Sequence, residues 1–402
     1  MCSVGDDNYE GDEASKYLPT IETLKLDTLC NKCRTNQPCI ILRHKDAYCK
    51  DCFLAATTHK FKAFLGKHRL IYPNDKVLVS FKEGHECAAL LHFIRSGLDL
   101  TTPKKLRFEP MILYIENNNH LNSETRRNLL KSIDEQAKHF KFDIYYVSLA
   151  KFIENEDKFL EDLTQNYEEV ILINKDQSNV SEKLKDLNNK TQKLEVIKLL
   201  ERNLLYKVSK HLGCKHVFTP ELGSHVAAVL LTSVCLGRGK HLPLDIVIYD
   251  NRDPEVNIIR PLRHFETKEV AMYNYFNNII PVNLPKAPNT DSSIQNLLRS
   301  FVDNLQTNFP ATITTIVRTG DKLAMDDEIT NNPSCKLCKA PIENASTELT
   351  SAESTMFSSL ISNKQSDECL PPEEAYAKTI EMFSAQQSRD YCYACLRLQY
   401  TS

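Results

Sequence analysis

Four Cys-x-x-Cys pairs constrain this chain more than any other feature. Cys30/Cys33 and Cys49/Cys52 lie toward one end, with 15 residues (34–48) between the pairs. Cys335/Cys338 and Cys392/Cys395 lie toward the other, with 53 residues (339–391) between them. A Cys-x-x-Cys turn puts two thiolates on one edge of a tight knuckle, and two knuckles close a tetrahedral four-thiolate zinc site. The first two pairs have the spacing of such a site. The longer gap in the second set requires an insertion between halves that meet in space. The stretch NASTELTSAESTMFSSLISNKQSDE, rich in Ser, Thr and acidic residues and free of Gly and Pro, reads as that insertion loop, over 343–370, with helix inside it. One site assembled from both ends is the lesser arrangement, because each end already supplies four thiolates.

The remaining cysteines have no metal-site spacing. Cys39 reads as a small buried residue, and Cys2, Cys214, Cys235 and Cys369 read as packing residues. The acidic start MCSVGDDNYEGDEASK is unlike a secretory or mitochondrial leader, and no run approaches the ~18 apolar residues of a membrane span. The expectation is a cytoplasmic, reducing environment, where cysteines bind metal in preference to forming a disulfide framework. Hydrophobic residues make up 42% and charged residues 26%, enough for a substantial core, and the net charge is -3. A global basic field is excluded, so any nucleic-acid surface must be a local patch.

Between the cysteine clusters, strand and helix patterns alternate. KVLVS (76–80), MILYIE (111–116), FDIYYVSL (142–149), EVILIN (169–174) and DIVIYD (245–250) read as strands. Segments 87–98, 122–140, 149–165, 192–212 and 222–236 have helical spacing, the second opened by the start signal Asn122-Ser123-Glu124. The alternation predicts an α/β fold: a doubly wound parallel sheet with helices on both faces and a zinc knuckle at each end. The predicted organisation is an acidic, disordered tail over 1–27, a zinc knuckle and basic helix over 28–70, the α/β core over 71–325, and the second knuckle over 326–402. Ligands in such sheets sit at the carboxyl ends of the strands, so a nucleotide would meet the turn Ser80–Cys87.

The order of these features resembles the two-subunit cytoplasmic tRNA thiolation complex, whose members belong to the PP-loop ATP pyrophosphatase superfamily. CKDCFLAATTHKFKAFLGKHRL, HVFTPELGSHVAAVLLTSVCLGRGKHLP and IIRPLRHFETKEVAMYN are similar to motifs of its non-catalytic subunit, and the likeness runs from about residue 28 to 400. A working PP-loop reads Ser-Gly-Gly-x-Asp-Ser, its glycines letting backbone N–H groups wrap a phosphate at a helix N-terminus. The matching positions here are Lys82, Glu83, Gly84, His85, Glu86 and Cys87. Only Gly84 survives, and Glu83 places negative charge where phosphate should arrive. The acidic pair of the catalytic relatives is replaced by Pro220–His225, and their Cys-x-x-Cys by a lone Cys214. The resemblance therefore implies no ATP turnover and no iron–sulfur cluster in this chain.

It further implies a heterodimer with a catalytic PP-loop subunit, which adenylates the wobble uridine of tRNAs for lysine, glutamate and glutamine. Sulfur would arrive as a thiocarboxylate on a ubiquitin-related carrier, and no membrane is involved. Candidate RNA-contacting residues are Lys60, Lys62, Lys67 and Arg69, near Phe61, Phe64 and His68, together with Arg260 and Arg263. The plainer reading makes the phenylalanines core, the lysines solvated, and Arg260 and Arg263 braces to carboxylates. Lys104, Lys105, Arg107, Arg126 and Arg127 read as a solvated face. Two rival functions stand beside the thiolation role: a sulfurtransferase in its own right, and a zinc-bearing interaction or RNA-binding protein with no part in thiolation.

Overall fold

The computed structural model describes residues 29–43, 46–103, 105–118, 121–156, 158–173, 187, 189–284, 293–325, 332–342, 351–362, 371–384 and 390–398. The chain divides into two compact units, 1–58 and 59–402. The first holds an antiparallel pair, β1 (Ile40–Leu42) and β2 (Asp46–Tyr48), with Ile41 opposite Ala47, and the start of α1 (Lys50–His68). Ile40, Leu42, Ala47 and Phe53 bury its small apolar centre.

In the second unit the chain runs β3 (Lys76–Phe81), α2 (His85–Leu98), β4 (Glu109–Glu116), α3 (Ser123–His139), β5 (Asp143–Ser148), α4 (Leu149–Glu154), α5 (Tyr167–Ile173), α6 (Lys190–His211) and β6 (His216–Phe218). It continues through α7 (Gly223–Cys235), α8 (Leu242–Ile246), β7 (Tyr249–Asp250), β8 (Asn257–Ile259), α9 (Thr267–Phe276), α10 (Ile294–Asn308) and α11 (Pro310–Gly320). The last elements are α12 (Ser351–Ser362), α13 (Pro372–Ser384) and α14 (Tyr393–Leu396). The sheet order is β5-β4-β3-β6-β8-β7, parallel throughout except for the antiparallel β7–β8 pair. Val77, Leu78 and Val79 on central β3 are all fully buried, as a parallel strand covered on both faces requires. From β3 the chain builds outward through β4 and β5, then returns to the other side of β3 as β6. That reversal sets a crevice at the carboxyl ends of β3 and β6.

Two strand expectations fail for identifiable reasons. EVILIN is helical as far as Ile173, with residue 174 outside the described residues. Val170 and Ile171 are buried while Leu172 is 59% exposed, and Asn166 accepts from the Glu168 amide at 3.1 Å to start the turn. A short apolar run does not distinguish strand from buried helix, and here the turn opened at Asn166 continues as helix. DIVIYD opens as the end of α8, with Pro243 in its first turn, and only Tyr249–Asp250 pair as a strand. The helical reading of 149–165 holds for α4 and a 3-10 turn, Phe159–Asp162, with Asn155 extended between them. Within the stretch read as an insertion loop, 351–362 is helix, and Phe357 meets Tyr376 of α13 edge-on at 6.3 Å. Positions 343–350 and 363–370 lie outside the described residues, as do 1–28.

Candidate functional site

The loop at the crevice is filled by its own side chains. Gly84 caps α2 at φ 122°, a conformation L side chains rarely adopt, and its amide donates to the Val282 carbonyl at 2.8 Å. A Cβ at Gly84 would stand 2.5 Å from Glu86 Oε2, so the Glu86 carboxylate folds back over the glycine. A carboxylate in the first turn already answers the helix dipole that would otherwise attract phosphate. The Tyr114 hydroxyl donates to Glu83 Oε1 at 2.7 Å and accepts from Asn118 Nδ2 at 2.6 Å. Burial, reinforced by the Glu83 charge, pushes the Tyr114 hydroxyl well up. Lys82 Nζ is drawn away to Glu201 Oε2 at 2.8 Å. Cys87 is fully buried and its thiol is pushed up to about 12 by that burial, the opposite of an activated nucleophile.

The matching edge, at the start of α7, is equally closed. A Cβ at Gly223 would meet the Arg263 carbonyl at 2.9 Å, so glycine there permits the close approach of helix and loop. His225 Nε2 lies 3.9 Å from Glu86 Oε1, and burial holds its imidazole below the usual range. Glu221 pairs with Arg260, whose Nη1 also donates to the Val247 carbonyl at 2.6 Å. Arg263 is 1% exposed and donates to the Ile246 carbonyl and to Asp321. Both arginines brace loops.

Lys60 donates to both Glu269 oxygens at 2.9 and 2.8 Å and sits 4.5 Å over the Phe265 ring. Phe61 and Phe64 are buried, Phe61 stacking on Phe93 at 5.0 Å, so neither ring is free to receive an unpaired base. Lys67 and Arg69 are exposed, and Lys62 is half-buried. In the looser basic set, Arg126 departs from the solvated reading: it is 7% exposed and paired with fully buried Glu116 at 2.8 Å. Lys104 lies outside the described residues.

The eight paired cysteines assemble as two quartets. In each, the four sulfur atoms lie within 4.8 Å of one another. Cys33 and Cys49 are 3.9 Å apart, and Cys338 and Cys392 3.6 Å. A single tetrahedral zinc, with Zn–S near 2.3 Å, spaces sulfurs by about 3.8 Å. The donor set therefore fits one ion per quartet. The first pair of each quartet forms a knuckle and the second stands at a helix start, α1 or α14. Asn31 donates to the Ala47 carbonyl at 2.8 Å, and Lys336 correspondingly to that of Asp390 at 2.9 Å. Hydrogen bonds from the Thr35 hydroxyl, and from the Asn36 and Thr35 amides, hold the Cys33 thiol at about 6. Cys39 is exposed, not buried: its amide donates to the Tyr48 carbonyl at 2.8 Å just before β1, leaving the side chain outside. Cys235 is exposed on the last turn of α7, while Cys214 is buried in the core as a packing residue; Cys2 and Cys369 lie outside the described residues.

The C-terminal quartet is fully buried and belongs to the same apolar cluster as Leu199, Leu204 and Val208 of α6. Arg202 Nη2 donates to the Cys338 carbonyl at 3.0 Å, and Asn203 Nδ2 to that of Leu337 at 2.9 Å. Arg238 Nη1 reaches Cys395 Sγ at 3.7 Å. Sequence reasoning missed these contacts. The only hint was Arg238 between Gly237 and Gly239, immediately beyond a helical pattern.

A mostly parallel sheet with a switch-point loop and flanking helices defines a PP-loop-like α/β protein. The fold is similar to the U34-tRNA thiolase NcsA from Methanococcus maripaludis with its [4Fe-4S] cluster, at a TM-score of 0.58 and 16% identity over 78% of this chain and 96% of that one. The chain is 30% identical to cytoplasmic tRNA 2-thiolation protein 2-B of Xenopus laevis, covering 88% of this chain and 81% of that protein. It is 32% identical to cytoplasmic tRNA 2-thiolation protein 2 of Aedes aegypti, over 81% and 74%. The family model for cytoplasmic tRNA 2-thiolation protein 2 matches residues 293–397. The chain belongs to the cytoplasmic tRNA 2-thiolation protein 2 family, and that membership supports a role in tRNA 2-thiolation.

Proposed function

We propose that this chain is the required, non-catalytic subunit of a cytoplasmic complex that 2-thiolates the wobble uridine of tRNAs for lysine, glutamate and glutamine. A catalytic PP-loop subunit performs the adenylation, and a thiocarboxylated ubiquitin-related carrier delivers sulfur. The observation that carries the reading is the loop of a thiolase-like fold filled by Glu83 and Glu86. Like charges about 4 Å apart at an interface repel by about 4 kcal/mol, so a triphosphate entering beside two fixed carboxylates is disfavoured. ATP turnover therefore belongs to the partner. The quartets hold structural zinc, a reading supported by sulfur separations suited to a mononuclear centre. Lys62, Lys67 and Arg69 offer positive charge to tRNA phosphates; Lys60, Arg260 and Arg263 are engaged within the chain.

The test is the 2-thiouridine content of the three tRNAs in cells depleted of this protein, read as retardation in a mercury-containing gel. Loss of the retarded band, restored by the Lys82→Ala/Glu83→Ala variant, is the expected result. An unchanged band on depletion would remove the thiolation role.

A further inference from the structure

Among the described residues, the C-terminal quartet differs from the N-terminal one in having a buried arginine in contact with one of its sulfurs. Arg238 is 2% exposed and sits just beyond α7, where Gly237 at φ 72° turns the chain and the Arg238 amide donates to the Ser233 carbonyl at 2.8 Å. Its Nε faces Asp245 Oδ2 at 3.3 Å and Glu195 Oε1 at 3.6 Å. Asp245 is itself held by Arg252 at 2.8 Å and Arg202 at 3.4 Å, and Arg252 turns its other edge to Asp250. Three buried or nearly buried arginines and three buried acids thus balance one another, and the guanidinium of Arg238 has no freedom to swing. With Nε committed to carboxylates, Nη1 is presented to Cys395 Sγ at 3.7 Å. Nη2, also buried, has no hydrogen-bond acceptor among the described residues.

An ion held by four thiolates carries excess negative charge on its sulfurs, and burial deprives that charge of water. A charge-assisted N–H···S bond from a fixed guanidinium is the direct remedy. We propose that Arg238 is the positioning residue of the C-terminal centre: it donates to the metal-bound Cys395 thiolate, and the time for which that centre keeps its ion depends on this bond. The proposal rests on the metal reading of the quartets given above. The N-terminal quartet has a neutral amide, Asn36 Nδ2, at 4.0 Å from Cys49 Sγ in the corresponding role, and its Cys33 and Cys52 are only half-buried. The two centres should therefore release metal on different time scales.

The experiment uses the full zinc-loaded chain and follows release to a chromogenic chelator. Wild type should hold two zinc ions and lose them in two phases, the slower from the C-terminal centre. Arg238→Met should accelerate the slow phase about 10- to 100-fold and leave the fast phase unchanged. Arg238→Lys, keeping charge without the planar fork, should fall between. Arg202→Met is the control, because it breaks the same Asp245 network while its described contact with the quartet is to the Cys338 backbone carbonyl and not to a sulfur. An equal acceleration in Arg202→Met would reduce Arg238 to a general structural brace and overturn the proposal. So would an unchanged slow phase in Arg238→Met. On the cobalt-substituted chain, Arg238→Met and not Arg202→Met should shift the sulfur-to-metal charge-transfer band to lower energy; a band unmoved by Arg238→Met would count against the bond. A wild-type chain that holds no zinc is a separate result, and it would overturn the metal reading itself.

Discussion

Arg34 and Lys339 occupy the same position in the two cysteine quartets. Each follows the second cysteine of a knuckle, each is left-handed, at φ 56° and 58°, and each donates its amide to the first cysteine's carbonyl, at 2.8 and 2.9 Å. The left-handed region costs an L side chain roughly 1–2 kcal/mol, and glycine avoids that cost. Lys339→Gly is therefore expected to leave stability unchanged or raise it by up to about 1 kcal/mol. Lys339→Val, β-branched at the same φ, should lose about 1–2 kcal/mol. Thermal unfolding of the zinc-loaded chain measures both. A stabilising valine would mean the turn is not held left-handed.

Metal removal should have unequal consequences. All four C-terminal sulfurs are buried in a cluster shared with α6 and β3, whereas the N-terminal quartet belongs to a separate small unit. Cys392→Ser is expected to destabilise the core, and Cys49→Ser to spare it. Hydrogen exchange along α6 separates the two: protection around Leu199–Val208 should fall only in the first.

Structural and RNA-directed cations should part company in mutagenesis. Arg263→Ala leaves the Ile246 carbonyl and Asp321 without their donor, at a cost of about 2–5 kcal/mol in unfolding free energy. The combined Lys62→Ala, Lys67→Ala and Arg69→Ala variant should unfold like wild type yet bind tRNA more weakly. Its salt dependence should also be shallower, by about 0.7–0.9 in log–log slope for each phosphate that is no longer neutralised. Normal tRNA affinity in that triple variant would take those residues out of the interface.

Stability should soften in mild acid through His216. The residue is 7% exposed, and burial holds its pKa below the usual value although Asp75 stands 3.6 Å away. The unfolded chain takes up this proton near pH 6.5, and the folded chain only at lower pH. Folding free energy is therefore lost as pH falls below about 6.5 toward the folded value. Denaturant unfolding at pH 7.5 and 5.5 should show a smaller loss for His216→Gln than for wild type. Equal losses would mean that His216 titrates alike in both states.

The alternation of strand and helix, the start signal at Asn122 and the central apolar run of β3 were legible because each rests on local periodicity or capping. The N-terminal quartet followed from spacing, since a knuckle is a local turn and two close knuckles suit one ion, whereas the C-terminal pairs, 53 residues apart, were brought together by the tertiary structure. The loss of loop glycines was likewise visible residue by residue. Tertiary structure alone decided which side of the loop Glu86 would fill, that Lys82 would turn to Glu201, and that Arg260 and Arg263 would be spent on bracing. It also decided that the apolar run ending at Ile173 is helix and that Asp245 leaves a strand-like segment to gather three arginines. Spacing reports what neighbours along the chain can do together. The partners of a buried charge come from elements far apart in sequence, and burial selects them because an unpaired charge cannot remain there.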